Sequence, residues 1–390
     1  MENYYCSQKF YQLQINAEKK RLNSCCKADP EIIDINWLKK NPGEIFNTPK
    51  LKQERKDMLD NVRIAGCEDV CWKKEAQGLW SRRMRDKTFN KTHTNIKNKP
   101  THLNLTLSSD CNLACSYCCK DFSSAWRNEI FNHGPYEELD EQTQRFSLNS
   151  FDLAVKKASQ KKKQTLEIFD LIEHEVEKMS DHLQSVTITG GEPLLHYKLP
   201  DVVRQFSKVK WLTVYTGLGV SESVLLRALR SLSQNHNVEI CVSAESTGKN
   251  FEFNRFGSKW EKFIRYLEII KSYGIKVTFN MSYGNLNVID FVEFNNMFEE
   301  YEKKLNMIYD PMFLSVSNLD DESKELIMRS IKESRFSNSD HATHLIKALE
   351  HKTNEKLRSQ LGLFLKQMCK RRKNNIDFMP SSFKNWIGID

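Results

Sequence analysis

The stretch CNLACSYCC sets Cys111, Cys115 and Cys118 at C-x3-C-x2-C spacing directly after the alternating run HLNLTLSSD. Three thiolates this close together can hold three corners of one iron–sulfur cube, because cysteine is the soft ligand such clusters take. One iron then lacks a protein ligand and is open to a small molecule. The same residues read also as part of a zinc site or as three buried thiols. Gly190 follows Cys118 by 72 residues, in SVTITGGEPLL, where a β-branched strand runs into Gly190, Gly191, Glu192 and Pro193. Paired glycines at a strand end let backbone approach a ligand closely, and the neighbouring carboxylate can hold an ammonium group.

A chain of 390 residues, 39% hydrophobic and 28% charged, is long enough for a full-sized domain plus a smaller one and for a sizeable core. The amino terminus, MENYYCSQKFYQ, has no apolar h-region, and no later run approaches the roughly 18 apolar residues of a membrane span. We therefore expect no membrane contact and a cytoplasmic location. Eleven cysteines, odd in number and clustered, point to metal ligation in a reducing compartment and away from a disulfide framework. The net charge of +8 comes largely from local runs, SRRMRDKTFNKTHTNIKNKP, KKASQKKK and KRRK. These suit an anionic partner or a solvated face.

Taken in order, residues 1–85 form a unit that holds Cys6, the adjacent Cys25 and Cys26, and Cys67 and Cys71 in GCEDVCW. A C-x3-C pair with two distant cysteines can close a four-ligand metal site, for zinc as well as for iron. Residues 86–100 are polar, basic and without apolar periodicity, as a linker ending at Pro100 would be. Beyond it, LNLTL, SVTIT, LTVYTG, VEICVSA, IKVTFNMS and MFLSVS read as six strands with helical segments between them. That succession implies parallel βαβ units with right-handed crossovers, and ligands beyond the carboxyl ends of the strands. The long DFSSAWRNEIFNHGPYEELDEQTQRFSLNS reads equally as a lid or as an exposed insertion. From 321 to 390 the pattern is helical; Cys369 there, like Cys119 beside the triad, reads as a structural or free thiol.

The cysteine triad, the GGEP turn and the strand–helix succession together resemble the radical S-adenosylmethionine (SAM) superfamily. The resemblance implies an α/β fold, a partial (β/α)6 TIM-like barrel over 101–320, with a small amino-terminal auxiliary-cluster domain and carboxy-terminal helices. It implies that Cys111, Cys115 and Cys118 anchor a 4Fe-4S cluster that binds SAM. Tyr117 then matches the position that packs near adenine, and Gly190, Gly191 and Glu192 match the turn that binds the SAM amino group. Thr216 with Gly217, Ser243, Glu245 and Asn280 fall at strand ends where family members place polar contacts to SAM.

The first 85 residues resemble the twitch or SPASM-type auxiliary segment of that superfamily. Arg55, Glu75, Gly78 and Ser81 fit its pattern, while Lys20 stands where its turn glycine would be. The resemblance nominates Cys6, Cys25, Cys67 and Cys71 for an auxiliary 4Fe-4S cluster, with Cys26 as the alternative to Cys25. The activity implied is reductive cleavage of SAM to a 5′-deoxyadenosyl radical that abstracts hydrogen from a peptide or protein side chain. A nucleotide or nucleic-acid substrate is the second reading, and a zinc-holding nucleic-acid-binding protein the third. A reductant such as a flavodoxin or ferredoxin is the implied partner. The substrate, the bond made or broken, and the fate of SAM stay open.

Overall fold

Two rows of apolar side chains build the first part of the sheet. In the computed structural model, which describes residues 4–25, 28–76, 81, 83–84, 94–139, 146, 161–235 and 237–389, the strands are β1 Gln12–Asn16, β2 Arg21–Asn23, β3 Glu31–Ile32, β4 His102–Thr106, β5 Ala114–Cys115, β6 Ser185–Thr189, β7 Trp211–Thr216, β8 Val238–Ser243, β9 Arg255–Phe256, β10 Lys276–Tyr283 and β11 Glu302–Met307. The helices Lys161–Met179, Leu199–Gln205, Glu222–Leu232, Trp260–Ser272 and Phe291–Met297 lie between β4, β6, β7, β8, β10 and β11. The fold is α/β with a largely parallel sheet, the partial β/α barrel that the strand–helix succession predicts.

The chain divides into two compact units, Met1–Ser108 with Ala158–Val214 and Arg230–Glu239, and Ser109–Lys157 with Tyr215–Leu229 and Ile240–Asp390. In the first unit the strand order is β3-β2-β1-β4-β6-β7. β1, β4, β6 and β7 run parallel, with Leu13, Leu103, Val186 and Leu212 in one row and Ile15, Leu105, Ile188 and Val214 in the next. All eight are buried. Strand period 2 puts both rows on one face, and Ile172, Val176 and Val202 of the flanking helices lie against it beside Leu105 and Leu107. The opposite face carries Asn104, Thr106 and Thr189, whose side chains bond to one another at 3.0 and 3.1 Å. Thus β1, drawn from the amino-terminal segment, continues the parallel sheet beside the first predicted strand. Lys20 takes a left-handed conformation, φ 53°, in the turn after β1. A side chain therefore occupies the backbone geometry for which glycine was expected.

In the second unit β10 and β11 are parallel, Thr278 opposite Glu302 and Tyr283 opposite Met307. The sixth strand is thus Glu302–Met307 and not MFLSVS; Met312–Leu314 is a 3-10 turn instead. EKKLNM hid this strand because it ends the strand order and is only half-buried, so its sequence lacks an apolar alternation. The MFL turn is apolar because Phe313 and Leu314 are buried, and its backbone is held by Asn285 and Asn318, each donating to the Phe313 carbonyl at 2.8 Å.

Part of the predicted lid is built into this unit's core. Trp126, Tyr136 and Phe146 form an aromatic group with Phe313 and Phe364, ring centroids 5.0–6.4 Å apart. The Gln367 amide bonds both the N–H and the C=O of Glu137, and Arg371 donates to the Gly134 and Pro135 carbonyls. Residues 140–145 and 147–150 of the predicted lid, and 86–93 of the predicted linker, lie outside the described residues. The carboxy-terminal helices are Asp321–Glu333, Asp340–Leu349, Glu355–Arg372 and Ser381–Ile387, with half-buried Cys369 on the third. Among the described residues no helix is long and apolar enough to cross a membrane.

Candidate cofactor site

The cysteine loop in the second unit is held by a segment that carried no expectation, Asn250–Gly257. Cys115 pairs with Arg255, and Ala114 with Phe256, in the short antiparallel ladder of β5 and β9. The Ser116 amide donates to the Asn254 carbonyl at 2.8 Å and its hydroxyl to Asn254 Oδ1 at 2.6 Å. From the other side, Trp126 Nε1 donates to the Cys115 carbonyl at 2.8 Å, Ser123 Oγ to that of Leu113 at 2.7 Å, and Ser124 Oγ to that of Cys111 at 3.0 Å. Leu113 is wedged between glycines: a Cβ on Gly219 would lie 2.5 Å from Leu113 Cγ, and one on Gly257 would lie 2.7 Å from the Asn112 carbonyl oxygen.

Cys111, Cys115, Tyr117 and Cys118 share one packed group, and none of the three cysteines is in a disulfide. Burial pushes the Cys115 thiol up, opposed by the Arg255 charge, and burial pushes Cys118 well up. Three cysteines in one packed group, with the Arg255 cation 3.9 Å from Cys115 Sγ, fit an anionic iron–sulfur group. Cys119, next to Cys118, is buried as well.

Behind the loop lies a buried network. Glu245, just past the end of β8 and 0% exposed, accepts from Tyr117 Oη at 2.9 Å, from Arg255 Nη2 at 3.2 Å and from the Ser282 amide at 3.4 Å. Arg255 Nη2 also donates to Tyr117 Oη at 2.7 Å, its Nη1 lies 3.9 Å from Cys115 Sγ, and its buried Nε has no hydrogen-bond partner among the described residues. Burial pushes the Tyr117 hydroxyl well above its ordinary range. Of the other predicted contacts, Ser243 is half-buried at the end of β8. Thr216 Oγ1 accepts from the Leu218 amide at 2.9 Å, where Leu218 is left-handed at φ 56°. Asn280 Oδ1 accepts from Asn306 Nδ2 on β11 at 2.8 Å.

The GGEP turn belongs to the first unit. Gly190 has φ 151°, and a Cβ there would lie 2.5 Å from the Ser108 carbonyl oxygen, which also accepts from the Gly191 amide at 2.8 Å. No side chain fits at Gly190. Glu192 is buried, and its Oε1 accepts from the Leu194 amide at 3.3 Å, capping the turn Pro193–Leu195.

The same unit gathers Cys6, Cys25, Cys67 and Cys71 into one buried group with Phe10, Met58 and Trp72. Cys6 precedes the short helix before β1, Cys67 immediately precedes a one-turn π-helix, Glu68–Trp72, and Cys71 lies within it. Cys26 and Gly78 lie outside the described residues. Among the described residues no three His, Cys, Asp or Glu side chains form a single-ion site. What unites these cysteines is a shared buried neighbourhood and not a preformed tetrahedron.

Residues 105–298 match the radical SAM superfamily, a span that includes the cysteine triad, the glycine pair, Glu245 and Arg255. Through this domain the chain belongs to the radical SAM superfamily. It is similar to the GTP 3′,8-cyclase of Synechocystis sp., 28% identical over 122 residues, which are 30% of this chain and 37% of that protein. Among solved structures it is similar to anSMEcpe with bound AdoMet, at 16% identity and a TM-score of 0.39 over 60% of each chain. It is also similar to SuiB of Streptococcus suis, at 16% identity and a TM-score of 0.35 over 77% of this chain and 61% of that one. The chain thus spans little more than a third of the curated relative's length, and about three fifths of the solved chains.

Proposed function

We propose that the chain is a radical SAM enzyme in which Cys111, Cys115 and Cys118 hold a 4Fe-4S cluster with one open iron. The observation that carries this reading is the triad of desolvated thiols, braced by β9 and backed by Arg255, inside a domain of that superfamily. Gly190 and Gly191 bring backbone to the SAM amino group beside Glu192, and Thr216, Ser243 and Asn280 supply further polar contacts. Glu245 serves the cofactor through Tyr117 and Arg255, which it holds in place. Bound together, a reduced cluster and SAM supply a 5′-deoxyadenosyl radical that removes hydrogen from unactivated carbon. The chain's own residues orient these groups and keep water from them.

In this reading residues 1–85 are the auxiliary segment, with Cys6, Cys25, Cys67 and Cys71 around a second 4Fe-4S cluster. Residues 86–100 link it to the barrel at 101–320, and 321–390 are a helical extension. The substrate is a peptide or protein side chain, as the resemblance of the auxiliary segment implies. The alternative is a nucleotide or nucleic acid, favoured by the net charge of +8 and by the similarity to GTP 3′,8-cyclase. A flavodoxin or ferredoxin supplies the electron, in the cytoplasm.

Anaerobic incubation with SAM and dithionite tests the assignment. The full chain is expected to carry two clusters by iron and sulfide analysis and to release 5′-deoxyadenosine slowly even without substrate. Changing Cys111, Cys115 and Cys118 together to Ala should abolish release and leave one cluster. A colourless chain that holds only zinc would overturn it. Mass spectrometry of peptides and nucleosides from cells with and without the chain decides between the two substrates.

A further inference from the structure

Two buried cations share one carboxylate beside the four amino-terminal cysteines. Lys9 is 2% exposed, and its ammonium donates to Glu54 Oε2 at 2.5 Å. Arg55, 0% exposed, donates to the carbonyls of Ile96, Phe46 and Lys9 and to Asn47 Oδ1; no carboxylate is among these partners. Glu54 is the carboxylate whose charge bears on both, and Lys50 Nζ, 3.9 Å from its Oε1, is a third cation beside it. Taking an ion pair out of water costs about as much as the pair returns, or more, unless further charge or hydrogen bonding completes it. A second buried cation without its own counter-charge makes that balance worse. An interior of this kind is completed by a buried anion.

The anion's place is indicated by what Lys9 touches. Its amide donates to the Cys6 carbonyl at 3.3 Å, and Phe10, the next residue, packs in the same buried group as Cys6, Cys25, Cys67 and Cys71. Met58, on the same helix as Glu54 and Arg55, Pro49–Leu59, packs in that group as well.

We propose that Lys9, seated by Glu54, is a positioning residue of the four-cysteine site that supplies the positive charge offsetting an anionic iron–sulfur cluster and holds its reduction potential up. This rests on the auxiliary-cluster reading given above. The physical basis is that a cluster gains one negative charge on reduction, so a fixed cation in a desolvated site stabilises the reduced form more than the oxidised one. Net charge and solvent exposure are among the main determinants of such potentials. Glu54 works in the opposite sense, so the pair sets the potential between the two limits.

The test uses the full chain with Cys111, Cys115 and Cys118 changed to Ala, loaded anaerobically so that only the amino-terminal site carries iron. Iron and sulfide content and the Mössbauer spectrum come first, then a redox titration followed by electron paramagnetic resonance. Lys9→Met is expected to shift the oxidised-to-reduced ratio at fixed potential at least tenfold toward oxidised, about 59 mV downward for a one-electron couple. Glu54→Gln should shift it upward, and the two changes together should return it near the parent value. If Lys9→Met takes up no iron, the upward shift of Glu54→Gln and its reversal in the double variant carry the test. A parent chain with no cluster overturns the auxiliary-cluster reading itself. A loaded site whose potential does not move in Glu54→Gln, or moves the same way in both single variants, overturns the role of Lys9 alone.

Discussion

Arg255 joins the cysteine loop to the barrel core, since one guanidinium reaches Glu245, Tyr117 and Cys115 at once. Its pair with Glu245 is buried on both sides, at 3% and 0% side-chain exposure. Removing one partner of a buried pair strands the other charge, whereas removing both does not. Arg255→Met should therefore destabilise the metal-free chain by about 3–5 kcal/mol, and Arg255→Met combined with Glu245→Gln by much less. Urea unfolding followed by tryptophan fluorescence measures both; equal losses would mean that Glu245 is held by Tyr117 and the Ser282 amide and not by Arg255. The residue was not legible beforehand because NRFG looks like any turn, and the charge acquires meaning only when β9 sets it opposite Cys115.

At the scale of elements, glycines decide how closely the loops approach the sheet. Gly219 faces Leu113 of the cysteine loop so tightly that an added Cβ must push the leucine side chain, which lies between Cys111 and Cys115 in the chain. Overpacking of this kind costs about 1–3 kcal/mol. Gly219→Ala is expected to weaken iron retention while leaving the far-ultraviolet circular dichroism unchanged. Gly274 is the comparison: it is left-handed at φ 68° with nothing within 4 Å of an added Cβ. Gly274→Ala should cost about 1–2 kcal/mol of stability through backbone strain alone and leave iron retention intact. Equal iron loss in both variants would remove the Leu113 wedge from the account.

The molecule as a whole carries its nominated ligands as buried or, for Cys118, half-buried thiols in two groups. Burial raises Cys115 and Cys118 in one group and Cys6 and Cys67 in the other. Ligation takes the thiolate, so protons compete with iron, and a raised thiol makes that competition stronger near neutral pH. The metal-free form is favoured as pH falls, and cluster loading should release protons. Iron retained against a chelator is expected to decrease steadily as pH is lowered from about 8 to about 6. Retention that is flat over this range would mean that the iron is held by other groups.

Spacing and chain order were enough to read the three-cysteine stretch, the GGEP turn and the first five strands with their helices, because each rests on local periodicity or on neighbours in sequence. Even the turn at Lys20 kept its geometry without glycine. What depends on residues far apart in the chain was hidden. β11 is polar because it is only half-buried, and so it showed no alternation. Lys9, Glu54 and Arg55 are ordinary surface residue types until helix Pro49–Leu59 carries the last two inside. Only the tertiary structure decides which charges lose their water, and for Lys9, Arg55, Glu245 and Arg255 that loss makes each depend on its partners.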